Sequence, residues 1–299
     1  MRPLIAVDWG TSSLRVARVD AQGRVQEERS LPRGILTVAP GGFPAMFQDA
    51  CGDWMRVPGA LALVCGMAGS RQGWVEAPYC ECPAGFADIA SHLVWVEPGR
   101  IAMVPGLSCE SDGVPDVMRG EETQVFGALA VLGLDSALVV HPGTHSKWVR
   151  VAGGRIEGFS TFMTGEFYGL LRQHSILGRT MPVDDGELDA AAFERGVRYA
   201  LHIGNLLHAA FSARTLALFD RLPATALPSY LSGLVIGEEL RAQELAAGSG
   251  PVVVVGSDTL TRRYDLGLRI LGVATHNAGS QAAWRGLRAF ADTLEGSGK

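Results

Sequence analysis

Apolar residues come in short runs along this chain, and two of the runs end the same way. Leu4-Ile-Ala-Val7 leads into Asp8, Trp9 and Gly10, then into the hydroxyl triplet Thr11-Ser-Ser13, after which residues 14–19 resume an extended pattern. That pattern predicts a strand, a tight turn from Gly10 to Ser13, and a strand returning beside the first. Leu138-Val-Val-His-Pro-Gly-Thr-His-Ser146 repeats the design, with Lys147-Trp-Val-Arg-Val151 as the returning strand. When Gly10-Thr11 is set on Gly143-Thr144, Ser13 falls on Ser146 and Val16 on Val149. Two hairpins of one design, each near the head of a half-chain, predict a duplicated domain.

The remaining periodicity fills in each half. Third strands are expected at 24–31 and 155–162, and buried strands at 60–64, 101–107 and 251–256. Helices are expected at 43–55, 121–129, 167–177, 190–219 with an interruption at Gly204-Asn205, 229–240, 260–271 and 278–294. Residues 108–116 read as a loop, and 295–299 as a frayed end.

Composition narrows the function classes. A length of 299 residues is enough for two domains, each with its own core. A net charge of −5 excludes a general nucleic-acid-binding surface, so an anionic ligand needs local positive groups. No apolar run approaches the roughly 20 residues needed to span a bilayer, and the run from Leu4 is too short for a signal peptide. The odd count of five cysteines fits reduced thiols in the cytoplasm. Cys80-Glu-Cys82 has no second ligand pair at metal spacing, so structural zinc is not expected.

Several stretches carry candidate chemistry, each with a plainer alternative. A Gly-Thr-Ser-Ser turn points backbone N–H groups and hydroxyls into one small space suited to phosphate oxygens, although most such turns are ordinary hairpins. Asp8 beside it can hold hydrated Mg²⁺. The loop Cys65-Gly-Met-Ala-Gly-Ser-Arg-Gln-Gly-Trp74 follows a buried strand, where open α/β sheets bind ligands; Gly69, Ser70, Arg71 and Trp74 are its candidates. The alternative is a glycine-rich crossover with Trp74 as a core plug. Arg71 and Arg15 are the candidate partners for a substrate carboxylate. Glu121 and Glu122 open a helix, where acids complement the dipole by only ~0.3–1 kcal/mol. Otherwise one of them takes the proton from an attacking hydroxyl, with Arg119 beside it binding substrate or steadying the carboxylate. Thr164 and Gly165 stand in reach of a ligand, with Glu166 as a capping acid. Gly233 and Gly237 permit close approach to a neighbouring helix or an adenine ring. Gly256 and Ser257, between a buried strand and a helix, suit a nucleotide's ribose or phosphates.

Taken together, these residues resemble the 2-dehydro-3-deoxygalactonokinase family of the actin, hexokinase and sugar-kinase superfamily. The resemblance runs through Asp8-Trp-Gly-Thr-Ser12, Gly66-Met-Ala-Gly-Ser-Arg-Gln-Gly-Trp-Val-Glu-Ala-Pro-Tyr79, Val117-Met-Arg-Gly-Glu-Glu-Thr-Gln124, Pro142-Gly-Thr-His-Ser-Lys-Trp148, Met163-Thr-Gly-Glu166 and Leu231-Ser-Gly-Leu-Val-Ile-Gly237. It implies an α/β protein with mixed sheets flanked by helices. Two ribonuclease-H-like (actin-like ATPase) domains, 1–133 and 134–299, would have an active-site cleft between them, and the last helix would pack back on the first domain. It also implies phosphorylation of 2-dehydro-3-deoxy-D-galactonate on its 6-hydroxyl by ATP with Mg²⁺. The alternatives are a same-fold kinase for another sugar or sugar acid such as 2-keto-3-deoxygluconate, a same-fold phosphatase or ATPase, and a nucleotide-dependent regulator without a small-molecule acceptor.

The first phosphate motif maps onto Asp8, Gly10, Thr11, Ser12 and Ser13. The second maps onto Gly143, Thr144 and His145, with Lys147 nearby, and the adenosine motif onto Gly256 and Ser257. The superfamily's base is usually an aspartate in a Gly-Asp opening to a helix. Here that place reads Gly120-Glu121, so Glu121 is expected as the base, with Glu122 and Asp116 behind it. Asp8 is expected to hold Mg²⁺ through water. A cytoplasmic homo-oligomer acting on a small sugar acid, without nucleic-acid or membrane partners, completes the expectation.

Overall fold

The computed structural model describes residues 2–279 and 281–296. The chain forms two compact units, one of residues 1–139, 148–160 and 278–299 and the other of residues 140–147 and 161–277.

The first unit opens with an antiparallel meander of β1 (Leu4–Trp9), β2 (Leu14–Val19) and β3 (Val25–Leu31). After α1 (Phe43–Cys51), β4 (Leu61–Cys65) returns parallel to β1. Next come β5 (Tyr79–Glu81), α2 (Phe86–Ser91), β6 (Val94–Glu97), β7 (Ile101–Met103), β8 (Gly106–Ser111), β9 (Val114–Met118) and α3 (Glu121–Leu132). Strands pair in the order β3-β2-β1-β4-β7-β6, with β5-β8-β9 as a separate small sheet. The two central strands, β1 and β4, are apolar almost throughout because both faces are covered.

A second sheet repeats the start of the first. β10 (Ala137–His141), β11 (Ser146–Ala152) and β12 (Arg155–Phe162) lie in the order β12-β11-β10-β13-β14. Third, second and first strands are followed by a strand from later in the half, as in β3-β2-β1-β4, which matches the duplication read from the two hairpins. The helices of the second unit are α4 (Thr164–His174), α5 (Ala190–Ile203), α6 (Leu206–Ala209), α7 (Ser212–Leu218) and α8 (Leu227–Ala242). After them come β13 (Val252–Val254), α9 (Asp258–Ile270) and β14 (Thr275–Asn277). Buried on nearly every side, α8 is the core helix of this unit, with Tyr230, Leu231 and Leu234 packed against Ala192 and Ala200 of α5. The closing helix α10 (Ala282–Gly296) belongs to the first unit, where Phe290 meets Phe86 and Phe126 at ring distances of 4.9 and 6.1 Å.

Several expected elements change form. The helix expected at 43–55 stops at Cys51, and a short 3-10 turn follows at Trp54–Arg56. The strand expected at 101–107 divides at Val104-Pro105 into β7 and β8, which join different sheets. Residues 108–116 are not a loop but the hairpin of β8 and β9, turned by Asp112 and Gly113 at φ 52 and 79. Polar residues along β8 and the Pro115-Asp116 break in β9 hide that Asp-Gly signal. The span 190–219 is three helices, the first closed by left-handed Gly204. The helix expected at 260–271 starts two residues earlier, at Asp258. The last helix starts at Ala282 rather than 278 and continues through Glu295 and Gly296, which are therefore not frayed; residues 297–299 lie outside the described residues. Among the described residues no helix is long and apolar enough to cross a membrane, and all five cysteines are free thiols.

Candidate active site

In the first unit the carboxyl ends of β1 and β4 and the amino end of α3 meet at one corner. Asp8 pairs in register with Arg15 on β2 and with Cys65 on β4. Its Oδ2 accepts a hydrogen bond from Arg15 Nη2 at 2.6 Å, and Cys65 Sγ stands 4.0 Å from Oδ1. Gly66 and Gly120, with φ 88 and 107, close the corner: a Cβ on Gly120 would lie 3.1 Å from Gly66 Cα, and one on Gly66 only 2.8 Å from the Trp9 carbonyl oxygen. Both the positive φ and the contact distances require glycine here.

The first Gly-Thr turn leaves this corner. The Gly10 N–H donates to the Ser13 carbonyl at 2.9 Å, while the Gly10 and Thr11 carbonyls accept from Ile35 and Leu36. That support fixes the backbone and leaves Thr11, Ser12 and Ser13 exposed.

The two glutamates that open α3 differ in environment. Glu121 is half-buried, its Oε2 accepting the Arg119 N–H at 2.9 Å. Glu122 is fully buried; its Oε2 accepts the Gly120 N–H at 2.6 Å and its Oε1 the Thr123 hydroxyl at 3.0 Å. Burial, then the charge of Glu121, pushes Glu122 up to about 8. A carboxyl protonated at neutral pH and sealed from solvent cannot take a proton, so of the pair only Glu121 is fit to be a base. The dipole-capping alternative is also visible, since both acids bond amides at the mouth of the helix. Asp116 lies in β9, its Oδ1 accepting the Val117 N–H at 2.7 Å.

The expected substrate residues divide. Gly69 and Arg119 adjoin, a Cβ on Gly69 falling 3.0 Å from Arg119 Nη1, and Ser70 follows in the chain. Trp74 packs its ring against Trp9 and Phe47 with centroids 6.2 and 5.3 Å apart, so the core-plug alternative holds for it. It also lines, with Arg71, Pro40 and Phe43, a surface cavity of about 400 Å³. Arg71 itself is exposed and lies 3.4 Å from Glu76.

In the second unit the other Gly-Thr turn is braced by the start of α4. The Glu166 N–H donates to the Thr144 carbonyl at 3.0 Å, and Glu166 Oε2 lies 2.5 Å from His145 Nε2. A Cβ on Gly165 would sit 2.5 Å from the Gly143 carbonyl oxygen, so no larger residue fits between turn and helix. Thr144 and His145 are exposed. Lys147 points inward instead, its Nζ donating to Thr161 Oγ1 at 2.7 Å.

Behind the turn lies a buried polar cluster. Thr164 Oγ1 and Tyr264 OH both donate to Glu239 Oε2, and Ser146 Oγ is 2.8 Å from Tyr264 OH. Burial, then the charge of Glu239, raises Tyr264 well above its ordinary value, so its proton stays in place to make these bonds. Gly143, Thr164, Gly165, Val235, Ile236, Leu260 and Arg263 line a narrow pocket of about 50 Å³. Gly256 adjoins Pro142, and Ser257 is the exposed N-cap of α9, its side chain making no capping bond. Gly233 and Gly237 serve helix packing rather than an adenine ring: a Cβ on Gly233 would lie 2.2 Å from the Phe193 carbonyl oxygen of α5. Sequence reasoning missed Glu239 and Tyr264. The signal was there for Glu239, four residues after Val235 and seven after Ser232 on the buried face of α8.

The family model 2-keto-3-deoxy-galactonokinase matches residues 8–290. A protein of Rhizobium meliloti (strain 1021), named "Probable 2-dehydro-3-deoxygalactonokinase", is 39% identical, with 97% of this chain and 96% of the relative covered. The 2-dehydro-3-deoxygalactonokinase of Escherichia coli (strain K12) is 35% identical, with 97% and 98% covered. A crystal structure of a protein from Sinorhizobium meliloti, assigned as a 2-dehydro-3-deoxygalactonokinase, superposes with TM-score 0.87 at 38% identity, covering 97% of this chain and 99% of that one. The chain belongs to the 2-keto-3-deoxy-galactonokinase family.

Proposed function

We propose that this chain transfers the γ-phosphoryl group of ATP to the 6-hydroxyl of 2-dehydro-3-deoxy-D-galactonate, working in the cytoplasm on galactonate breakdown. The observation that carries the reading is near-full-length similarity, at 39% and 35% identity, to two relatives named for that kinase. The corner of Asp8, Gly66, Gly120 and Glu121 supports it, because it joins an acid suited to a hydrated cation with a solvent-reachable carboxylate. The repeated hairpin sheets support two ribonuclease-H-like halves, 1–133 and 134–299.

Phosphoryl transfer asks for positioning and charge neutralisation rather than covalent chemistry from the protein. In the proposed roles, Gly10 to Ser13 and Gly143 to His145 offer amides and hydroxyls to the phosphates. Gly256 and Ser257 hold the nucleoside. Among the described residues no three His, Cys, Asp or Glu side chains converge into a ready-made metal cage. One carboxylate among hydroxyl-bearing turns instead fits a cation that keeps most of its water, as Mg²⁺ does. Asp8 would hold Mg²⁺ through water, and the ion when bound offsets phosphate charge. Glu121 accepts the proton of the 6-hydroxyl as that oxygen bonds to the γ-phosphorus, and the bond to ADP breaks. Gly69, Ser70, Arg119, Thr164 and Gly165 are proposed to line the acceptor's path.

The test is product analysis. Incubation with ATP, Mg²⁺ and either the galactonate- or the gluconate-derived 2-dehydro-3-deoxy acid is followed by phosphorus NMR. A 6-phosphate formed preferentially from the galactonate-derived acid supports the proposal. Preference for the gluconate-derived acid, or inorganic phosphate as the sole product, refutes it.

A further inference from the structure

We infer that Arg119, rather than Arg15 or Arg71, receives the carboxylate of the acceptor, with Ser70 as its companion donor. The inference deepens the kinase reading and rests on it. A sugar acid requires one fixed cationic group away from the phosphates, and the three arginines near the corner differ sharply in what they have left to offer.

Arg15 is engaged by Asp8 at 2.6 Å, and its guanidinium carbon lies 5.1 Å from the centre of the Trp284 ring. Arg71 is 86% exposed beside an exposed glutamate, a pairing that fixes little. Arg119 is only 9% exposed, and its guanidinium is held in place from two sides. Nη2 donates to the Ala77 carbonyl at 2.8 Å, and the Tyr79 ring lies 4.4 Å away. Among the described residues its Nε and Nη1 are buried without a hydrogen-bond partner, and so is Ser70 Oγ in the adjoining loop. Glu121, the nearest acid in sequence, spends its carboxylate on the Arg119 main-chain N–H instead of the guanidinium.

A guanidinium stays charged at every physiological pH, so two of its donors buried without an acceptor are an unfavourable resting state. On these adjoining segments the unpartnered groups are Nε and Nη1 of Arg119, which can only donate, and the Ser70 hydroxyl, which is able to donate. Their natural complement is a group made of acceptors, and a carboxylate engages such a fork with two parallel bonds. Access is controlled by residue 69, where a Cβ would lie 3.0 Å both from Nη1 and from Met103. Nε and Nη1 are buried, so a carboxylate reaches them only as the neighbouring side chains and backbone give way. Arg119 immediately precedes Gly120 and Glu121, so the group that anchors the acid is covalently tied to the turn that carries the proposed base.

The experiment is calorimetric titration of the full chain with 2-dehydro-3-deoxygalactonate in the absence of ATP, and separately with its uncharged methyl ester. Arg119→Met should weaken binding of the acid by ~100-fold. Arg119→Lys, which keeps charge but loses the fork, should fall in between. The ester should bind wild type and Arg119→Met alike. In steady state the KM for the acid should rise while the KM for ATP holds. Acid binding by Arg119→Met within about threefold of wild type, or a larger loss from Arg71→Ala, overturns the inference. If Arg119→Met does not fold by circular dichroism, Arg119→Lys with Ser70→Ala decides, and wild-type affinity in that pair overturns it. A wild type that neither binds nor phosphorylates the acid removes the kinase reading and this inference with it. A wild type that phosphorylates the acid, with Arg119→Met unimpaired, removes the inference alone.

Discussion

Glu121 and Glu122 are neighbours in sequence and opposites in environment: one is half-buried with its carboxylate on the Arg119 N–H, the other sealed from solvent on the Gly120 N–H. Glu121→Gln should therefore lower kcat by ~10²–10⁴-fold while ATP binding is retained, as loss of a general base does. Glu122→Gln should keep most turnover. Single-turnover phosphorylation beside nucleotide titration separates the two, and a Glu121→Gln enzyme with normal turnover would move the base elsewhere.

The same burial makes stability depend on pH. Unfolded, Glu122 titrates near 4.5; folded, near 8. Below pH 4.5 both states hold the proton. Between 4.5 and 8 only the folded state does, so stability falls as pH rises through that window and levels above it. Glu122→Gln should flatten this part of the curve, measured as the urea midpoint from pH 5 to 9. An unchanged slope would mean that another group carries it.

Asp8 and Arg15 form an ion pair beside the first Gly-Thr turn, at 2.6 Å. Asp8→Asn keeps the shape and removes the charge. Turnover should drop by ~10–100-fold, as when an outer-sphere metal partner is lost, with the deficit reduced at high Mg²⁺. Activity equal to the parent at every Mg²⁺ concentration would take Asp8 out of the site.

Gly165, in the first turn of α4, lies against the second Gly-Thr turn with no room for a side chain. Gly165→Ala should cost on the order of 1–3 kcal/mol of stability, because the carbonyl of Gly143 must move. It should raise the KM for ATP more than the KM for the acid. Thermal unfolding and initial-rate kinetics check both parts.

Much of this arrangement was legible in the sequence, for identifiable reasons. The strands of the two hairpins are apolar and end in glycine and hydroxyls, so β1, β2, β10 and β11 stood out, as did the strand before Gly256. The β8–β9 hairpin did not, because neither the largely polar β8 nor β9 with its Pro115-Asp116 break shows a clean alternation. Asp8 and Glu121 could be named from their place after a strand and before a helix. The inward turn of Lys147 and the burial of Glu122 could not, because alternation and helix phase do not specify what covers a face. The fixing of Arg119 depends on Ala77 and Tyr79, 40 or more residues away in sequence, which local spacing does not encode.

The most direct measurement is ADP release at saturating ATP and Mg²⁺, with and without 2-dehydro-3-deoxygalactonate. The account predicts release that depends on the acid, matching phosphorylated product mole for mole. Equal rates in its absence would contradict the kinase assignment.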